Sequence, residues 1–248
     1  MNRCDISVVI PVFHEEDLIN NALDTLYGLA FDGRLEIIVA DGDPEESTLK
    51  AIRDPRVKKI PSEKGRGKQL NTGAHLASGD ILLFLHTDTE LPPDGLTRMR
   101  AVMREHGCVG GSFDLGIGSD RPCFRLIERA ASLRSRITRM PYGDQAIFLR
   151  RDYFVGLGGF RELPLMEDVD LMRRVRQSGG KIRIISEKVK TSARRWEGEG
   201  VLYCTLRNWM LTLLYLFGVS PRRLARFYHD QNSPGKDKNE GGGKNNYR

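Results

Sequence analysis

The sequence predicts an α/β fold with a mostly parallel central sheet flanked by helices, and three observations favour it. The runs Ile6–Val12, Leu35–Ala40 and Ile81–Leu85 are short and nearly continuously apolar, as in strands buried on both faces. Apolar residues at helical spacing separate these runs. Strands that alternate with helices are typical of βαβ units, whose strands are parallel.

The first half of the chain repeats this strand–helix unit. Ile19, Leu23 and Leu26 recur at helical spacing after the first run, and the turn-forming residues 41–44 end the second strand sharply. The predicted elements are strand Ile6–Val12, helix 19–29, strand Leu35–Ala40, helix Glu45–Ile52, strand Val57–Ile60, loop Pro61–Lys68, helix Gln69–Ala77 and strand Ile81–Leu85.

The second half is less regular. Its last helix has Ser220 as N-cap and Pro221 at the first helical position, a favourable start. The predicted elements are helix 96–103, strand Val109–Leu115, helix Phe124–Ile137, strand Ala146–Leu149, a helix from Glu167, short strands Lys181–Ile185 and Val189–Thr191, and helices Val201–Phe217 and Pro221–Tyr228.

These elements divide the chain into three parts. Residues 1–198 form the predicted α/β domain, and residues 199–230 form a helical C-terminal extension. Residues 231–248 are mostly Gly, Asn and Lys with almost nothing apolar, a composition typical of a disordered tail.

Composition and charge limit the classes of function. A net charge of +6 and a sequence pI of about 9.2 favour an anionic partner, such as a phosphorylated small molecule or an acidic membrane surface. No nucleic-acid-binding signature is present, so no nucleic-acid partner is expected. The four cysteines are far apart and the N-terminus has no secretory apolar region, which predicts a cytoplasmic protein. The apolar stretch 209–219 is shorter than the about 20 residues that span a bilayer.

Carboxylates follow several of the predicted strands. Taken alone, Asp41 and Asp88 have an ordinary alternative as turn residues or helix caps, and Asp168 as a first-turn carboxylate favoured by the helix dipole. Glu15, Asp41, Asp88 and Asp168 together provide what sugar transfer from a nucleotide diphosphate needs. These needs are hydrogen-bond acceptors for a nucleoside, a ligand for a divalent cation and a general base.

Five segments of this sequence, in this order, resemble the motifs of the family-2 glycosyltransferases, inverting enzymes with the GT-A fold. These segments are Val9–Glu16, Val39–Gly42, Leu85–Thr89, Gly143–Gln145 and Met166–Leu171. The resemblance covers residues 6 to about 196 and is closer to the non-processive members. It implies a Rossmann-like sheet, a nucleotide-diphosphate sugar as donor and an acceptor hydroxyl.

The resemblance also implies roles for individual residues. Glu15 and Asp41 would bind the nucleoside, Asp88 would ligate Mn²⁺ or Mg²⁺, and Asp168 would be the catalytic base. Pro11, Arg66, Gln69 and His86 are further candidates for the nucleotide-sugar site. The candidates for binding the acceptor or the diphosphate are Gly143, Asp144, Gln145, Glu167, Arg195 and Trp196.

Two departures from the family pattern bear on these roles. His86 stands where the usual Asp-x-Asp motif has its first aspartate, although a neutral imidazole can still ligate a metal or bind a ribose. Ser192 replaces the glutamine of the Gln-x-x-Arg-Trp motif of processive polysaccharide synthases, whereas Arg195 and Trp196 are kept. A surface arginine and a core tryptophan remain the alternative for this pair.

The loop at residues 64–73 combines glycines with cationic side chains. Glycines allow close approach of the backbone, and Arg66 and Lys68 suit phosphate, but the spacing is not that of an ATP-binding P-loop. An ordinary solvated basic loop is the alternative.

Basic amphipathic segments suggest contact with a membrane. Arginines flank an apolar stripe over residues 121–139, and three more follow the apolar residues 209–217. A packed helix with a solvated face is the alternative for each segment. The hypothesis is peripheral binding at the inner membrane face, near a lipid- or membrane-linked acceptor.

Two other functions stay open at this stage. One is a catalytically silent nucleotide-sugar-binding protein, which the substitution by His86 keeps in consideration. The other is a sugar nucleotidyltransferase, but such enzymes carry a glycine-rich basic loop after the first strand, where this chain has Phe13-His14-Glu15-Glu16.

Overall fold

A mixed sheet flanked by helices forms the centre of the computed structural model, which describes residues 5–227. The predicted tail at 231–248 lies outside these residues. The strands are β1 (Ile6–Val12), β2 (Leu35–Asp41), β3 (Lys58–Pro61), β4 (Ile81–Phe84), β5 (Thr89–Glu90), β6 (Cys108–Gly118), β7 (Phe148–Arg150) and β8 (Lys181–Ser192). Their order across the sheet is β3-β2-β1-β4-β7-β6-β8-β5.

The helices include a C-terminal group that packs against the rest of the chain. They are α1 (Glu16–Tyr27), α2 (Ser47–Ala51), α3 (Arg66–Leu76), α4 (Gly95–Met103), α5 (Pro122–Thr138), α6 (Arg151–Gly156), α7 (Glu167–Gln177), α8 (Arg194–Glu199), α9 (Val201–Leu216) and α10 (Pro221–Leu224), with 3₁₀ turns at Gly143–Gln145 and Ala225–Phe227. Within residues 5–227, no helix has the length and apolar character needed to cross a membrane.

Two apolar clusters cover the two faces of the sheet. Along β1, Val8 and Ile10 belong to the cluster under α1 and α4, whereas Val9 belongs to the cluster under α3 and α7. Successive strand residues point to opposite faces, so this alternation places one cluster on each side. Gly73 lets α3 lie directly on the sheet, because a Cβ there would overlap Val9 Cγ1.

The parallel part of the prediction is confirmed. Strands β3, β2, β1 and β4 are parallel neighbours, as the strand–helix alternation predicts. The other half of the sheet is mixed, because β7 runs antiparallel to both β4 and β6, and β5 runs antiparallel to β8. The carboxyl ends of β1, β2 and β4 therefore meet at one edge.

Two predicted boundaries are wrong in ways that affect the site. The two short strands predicted after residue 180 are one strand, β8, in which the polar pair at 186–187 sits in an irregularity of the pairing with β6. Helix α3 begins at Arg66, inside the predicted loop, and it follows Gly65, whose φ of 138° few other residues adopt. Arg66 thus lies in the first turn of a helix.

Candidate active site

A narrow cavity lies at the carboxyl ends of β1 and β4, between the start of α3 and the start of α7. Six of the residues predicted for the site line it: Pro11, Arg66, His86, Gly143, Glu167 and Asp168. The structure therefore brings together side chains separated by more than 150 positions in the sequence.

Asp168 is held in a fixed orientation by two backbone N–H groups. Gly143 N–H donates to Oδ2 at 2.6 Å, and Val169 N–H donates to Oδ1 at 2.8 Å. A Cβ at Gly143 would lie 3.3 Å from Asp168 Oδ2 and 3.3 Å from His86 Nε2. Gly143 therefore separates the carboxylate from the imidazole with little space to spare.

Glu167 holds the guanidinium group that faces this cavity. Arg66 Nε donates to Glu167 Oε1, and Glu167 is only 2% exposed. Burial raises the pKa of Glu167, and the positive charge of Arg66 acts in the opposite direction. The Glu167 carboxylate thus fixes Arg66 beside the site.

His86 and Asp88 lie in the turn after β4. Burial, followed by the charge of Arg66, lowers the pKa of His86 to about 4, so the imidazole is neutral near pH 7. Asp88 accepts a hydrogen bond from Thr89 Oγ1 at 3.3 Å. Within residues 5–227, no three His, Cys, Asp or Glu side chains are grouped to hold a metal ion. His86 lines this cavity, whereas Asp88 lines a neighbouring one. An imidazole and a carboxylate are donor groups that suit Mn²⁺ or Mg²⁺.

Asp144 is a buried carboxyl group next to Gly143 with a raised pKa. Burial raises its pKa to about 6, with Arg134 opposing this and the charges of Asp168 and Asp88 adding to it. Its Oδ1 is buried and has no hydrogen-bond partner within the described part of the chain. A buried polar atom of this kind is unfavourable unless something pairs with it.

Arg134 is a site residue that the sequence analysis placed only among the arginines of a membrane-facing helix. Its guanidinium lies 3.2 Å from the centre of the Tyr142 ring, and Nη2 donates to Gln145 Oε1 at 3.2 Å. Burial lowers its pKa to about 10. The signal was available in the sequence: Arg134 continues the helical spacing of the inward apolar residues Ile127 and Ala131.

Two predicted ligand-binding amides have structural contacts instead. Gln145 is fully buried, accepts from Ser135 Oγ at 2.7 Å and donates from Nε2 to Phe113 O at 3.0 Å. Gln69 is buried and donates from Nε2 to Val12 O at 2.6 Å and to Ala40 O at 3.1 Å. Gln145 anchors the loop next to Asp168, and Gln69 joins the ends of β1 and β2.

Asp41 is also buried in the structure. Its carboxylate accepts the N–H of Asp43 at 2.9 Å and of Leu49 at 3.3 Å, and so it organises the turn before α2. This is the turn and capping role that the sequence left open for Asp41. Glu15 directly precedes α1, and its N–H donates to Thr48 Oγ1 at 3.0 Å. Both residues flank the carboxyl ends of β1 and β2.

Arg195 and Trp196 lie in the first turn of α8. The charge of Arg195 contributes to the lowered pKa of His86, so its side chain is close to the site. Trp196 packs edge-to-face on Phe124, with 6.2 Å between ring centres, and its buried Nε1 has no hydrogen-bond partner among the described residues. Trp196 therefore packs as a core residue. Its buried Nε1–H group has no acceptor among the described residues.

The comparison with known protein families decides what this arrangement belongs to. The model described as "Glycosyl transferase family 2" matches residues 7–161, more than half of the chain. This chain belongs to glycosyl transferase family 2. The matched range includes Pro11, Asp41, Arg66, Asp88 and Gly143, and it ends before Asp168.

Curated relatives of this family-2 chain are larger proteins. A probable glycosyltransferase from Sulfolobus acidocaldarius is 32% identical over 114 residues, covering 42% of this chain and 25% of that protein. The probable glycosyltransferase YdaM of Bacillus subtilis is 26% identical over 221 residues, covering 78% of this chain and 50% of that protein. The chain thus spans between a quarter and half of the length of these relatives.

A solved structure confirms the GT-A fold of the family-2 chain. Glucosyl-3-phosphoglycerate synthase from Mycobacterium tuberculosis superimposes with a TM-score of 0.61 at 19% identity, covering 86% of this chain and 79% of that one. That protein was solved in complex with Mn²⁺, UDP and glucosyl-3-phosphoglycerate. At 19% sequence identity, this similarity shows a shared fold.

Proposed function

We propose that this protein is an inverting glycosyltransferase that moves a sugar from a nucleotide-diphosphate sugar to an acceptor hydroxyl. The observation that carries this proposal is the fixed position of Asp168. Its carboxylate is oriented by Gly143 N–H at the edge of a cavity that also contains Arg66 and His86. A base beside cationic and metal-ligating groups is what this reaction needs.

Asp168 acts as the general base in the proposed step. Its carboxylate takes the proton of the acceptor hydroxyl while the acceptor oxygen attacks the anomeric carbon of the donor. A new glycosidic C–O bond forms on one face of the sugar as the bond to the diphosphate oxygen breaks on the other. The leaving electron pair stays on the nucleoside diphosphate, and the configuration at the anomeric carbon inverts.

Cationic groups stabilise the departing diphosphate. Arg66 is held by Glu167 at the start of α3, where the helix N-terminus also favours negative charge. Arg195 lies near His86 on the other side. Asp88 and His86 would hold Mn²⁺ or Mg²⁺, which neutralises charge on the phosphate oxygens when it is bound. Pro11, Glu15 and Asp41, at or near the carboxyl ends of β1 and β2, would bind the nucleoside.

The acceptor is proposed to approach from the side of Gly143 and Asp144, which are close to Asp168, and Trp196 stays a predicted acceptor contact. We propose an acceptor on a lipid or a membrane-linked glycan, and a protein that works in the cytoplasm at the inner membrane face. The net charge of +6 supports an anionic surface as partner.

Nucleotide release from a panel of nucleotide sugars, with Mn²⁺ or with a chelator, tests the proposal. A transferase releases nucleotide from one donor, faster with the cation and faster again when a suitable acceptor is added. Thermal shifts with the same panel identify donors that bind. Binding without release from any donor would support a catalytically silent nucleotide-sugar-binding protein instead.

A further inference from the structure

Helix α9 leaves a wide apolar face uncovered. Its buried side presents Cys204, Leu211 and Tyr215 to the protein. The opposite side is exposed at residues that recur every three or four positions, and Leu202 is 73% and Phe217 85% exposed. Other members of this exposed stripe are Leu206, Trp209, Met210 and Leu213. Single exposed apolar residues are ordinary, but a continuous stripe of this size marks an interaction site.

Helix α5 exposes a second stripe of the same kind. Leu126, Leu133 and Ile137 are between 58% and 73% exposed, on the side of the helix opposite its buried residue Phe124. Their spacing places them on one face of the helix. The exposed Arg129 lies next to this stripe.

Helices α5 and α9 are linked through a shared apolar cluster and one hydrogen bond. Val201, at the start of α9, packs in the same cluster as Ile127 and Ala131 of α5. Tyr142, which follows α5, donates from its hydroxyl to Thr212 Oγ1 of α9 at 2.9 Å. We call the two exposed stripes together the α5–α9 face. The residue after Tyr142 is Gly143, which orients Asp168.

The exposed charged residues within α5, and those that follow α9 up to residue 227, are arginines. Glu128, the acidic residue of α5, is fully buried, and the exposed charged residues of α5 are arginines. Two of these, Arg125 and Arg136, pair with Glu128 and Asp114. The charged residue of α9 is Arg207, which is buried, and the exposed Arg222, Arg223 and Arg226 follow the helix.

We propose that the α5–α9 face seats this protein on an anionic lipid bilayer. The apolar stripes and the ring of Trp209 enter the interface, and the arginines meet lipid phosphates. A second copy of the chain suits this face less well, because a twofold contact would bring arginines against arginines. Residues 228–248 contain no aliphatic residue. This inference rests on the proposed function in one respect, which is that a lipid- or membrane-linked acceptor would be found at the bilayer.

Flotation of the full-length protein with vesicles tests this inference. We expect binding to phosphatidylcholine vesicles that contain phosphatidylglycerol, weaker binding at high salt, and little binding to phosphatidylcholine alone. The double variant Leu206→Glu/Met210→Glu should lower binding at least about tenfold, because it places charge in the apolar stripe. The variant Leu133→Glu tests α5 in the same way.

The control is Val155→Glu, which changes an apolar residue that is 63% exposed on another helix, α6. It should bind as the parent does, and equal thermal shifts with the nucleotide-sugar donor show that each variant is folded. Equal binding by the parent and the stripe variants, or a parent dimer that these variants dissociate, would overturn the inference. Donor-dependent nucleotide release is measured separately without vesicles, so loss of vesicle binding and loss of activity are told apart.

Discussion

Asp168 carries the clearest prediction at the scale of single residues. In Asp168→Asn the amide cannot take the proton of an acceptor hydroxyl, so transfer should fall by about 10²–10⁴. Donor binding should remain, because Arg66 and Asp88 are unchanged. Initial rates of transfer measure the first effect, and thermal shifts with the nucleotide sugar measure the second. A variant that transfers sugar at the parent rate would remove Asp168 from the role of base.

Gly143 leaves no spare room beside the base. In Gly143→Ala the new methyl group would meet Asp168 Oδ2 and His86 Nε2, each at 3.3 Å, and one of them must shift. We expect kcat to fall about tenfold with a small change in melting temperature, since small displacements of reacting groups are costly. Gly156→Ala is a matched control, because a Cβ at Gly156 has no atom within 4 Å. Equal kcat values for both variants would contradict this prediction.

Asp144 predicts a pH dependence of stability. Its pKa in the folded protein is raised to about 6 from a usual value of 3.8, so the fold favours the protonated carboxyl group. That favourable contribution is present below about pH 4 and is lost as the pH rises through 6. Asp144→Asn mimics the neutral group and should gain stability over the parent across this window, then keep that advantage above it. Melting temperatures in chelator buffer between the two limits measure the gain. A difference that does not vary with pH would contradict the assignment.

At the scale of elements, the tie between α9 and α7 has a measurable strength. Tyr215 Oη donates to Asp170 Oδ1 at 2.9 Å, and burial raises the pKa of Tyr215 to about 12. Tyr215→Phe removes this hydrogen bond and should lower the free energy of unfolding by about 1 kcal/mol. Tyr203→Phe is the control, because Tyr203 is exposed on the same helix. Chemical denaturation of both variants gives the comparison.

The elements that the sequence predicts well are those whose pattern is local. Strands β1, β2 and β4 are continuous apolar runs buried on both faces, and α1 has a regular inward stripe, so their positions follow from spacing alone. The break that suggested two strands after residue 180 is the polar pair inside β8, which pairs with β6 on both sides of the irregularity. Only the partner strand shows that the element continues.

The site residues also differ in how far the sequence alone could predict their roles. The position of His86 directly after β4 is enough to place it at the carboxyl edge of the sheet, whereas Asp168 was predicted from the resemblance of Met166–Leu171 to the family motif. Sequence position could not show that the side-chain amide of Gln145 would be hydrogen-bonded to Phe113 O and Ser135 Oγ, because these partners come from other parts of the chain. The burial of Asp41 depends likewise on the turn that it organises. Short polar side chains at strand ends can bind a ligand or their own loop, and the fold decides between the two.

At the scale of the whole molecule, the C-terminal helices share an apolar cluster with the α/β part of the chain. Residues 199–230 are predicted to be a helical extension, and Leu211, Tyr215 and Leu224 pack in the same cluster as Leu171 and Met172 of α7. We therefore expect one cooperative thermal transition by calorimetry, with equal van't Hoff and calorimetric enthalpies. Two separate transitions would show that the C-terminal helices unfold independently.

The two contacts that α9 makes with the site have a mechanical consequence. Thr212 accepts from Tyr142, next to the glycine that holds the base, and Tyr215 donates to Asp170, two residues after the base on the same helix. A displacement of α9 would therefore shift residues on both sides of Asp168, at Tyr142 and at Asp170. An enzyme built in this way can turn over slowly when α9 is free to fluctuate, and faster when something immobilises that helix.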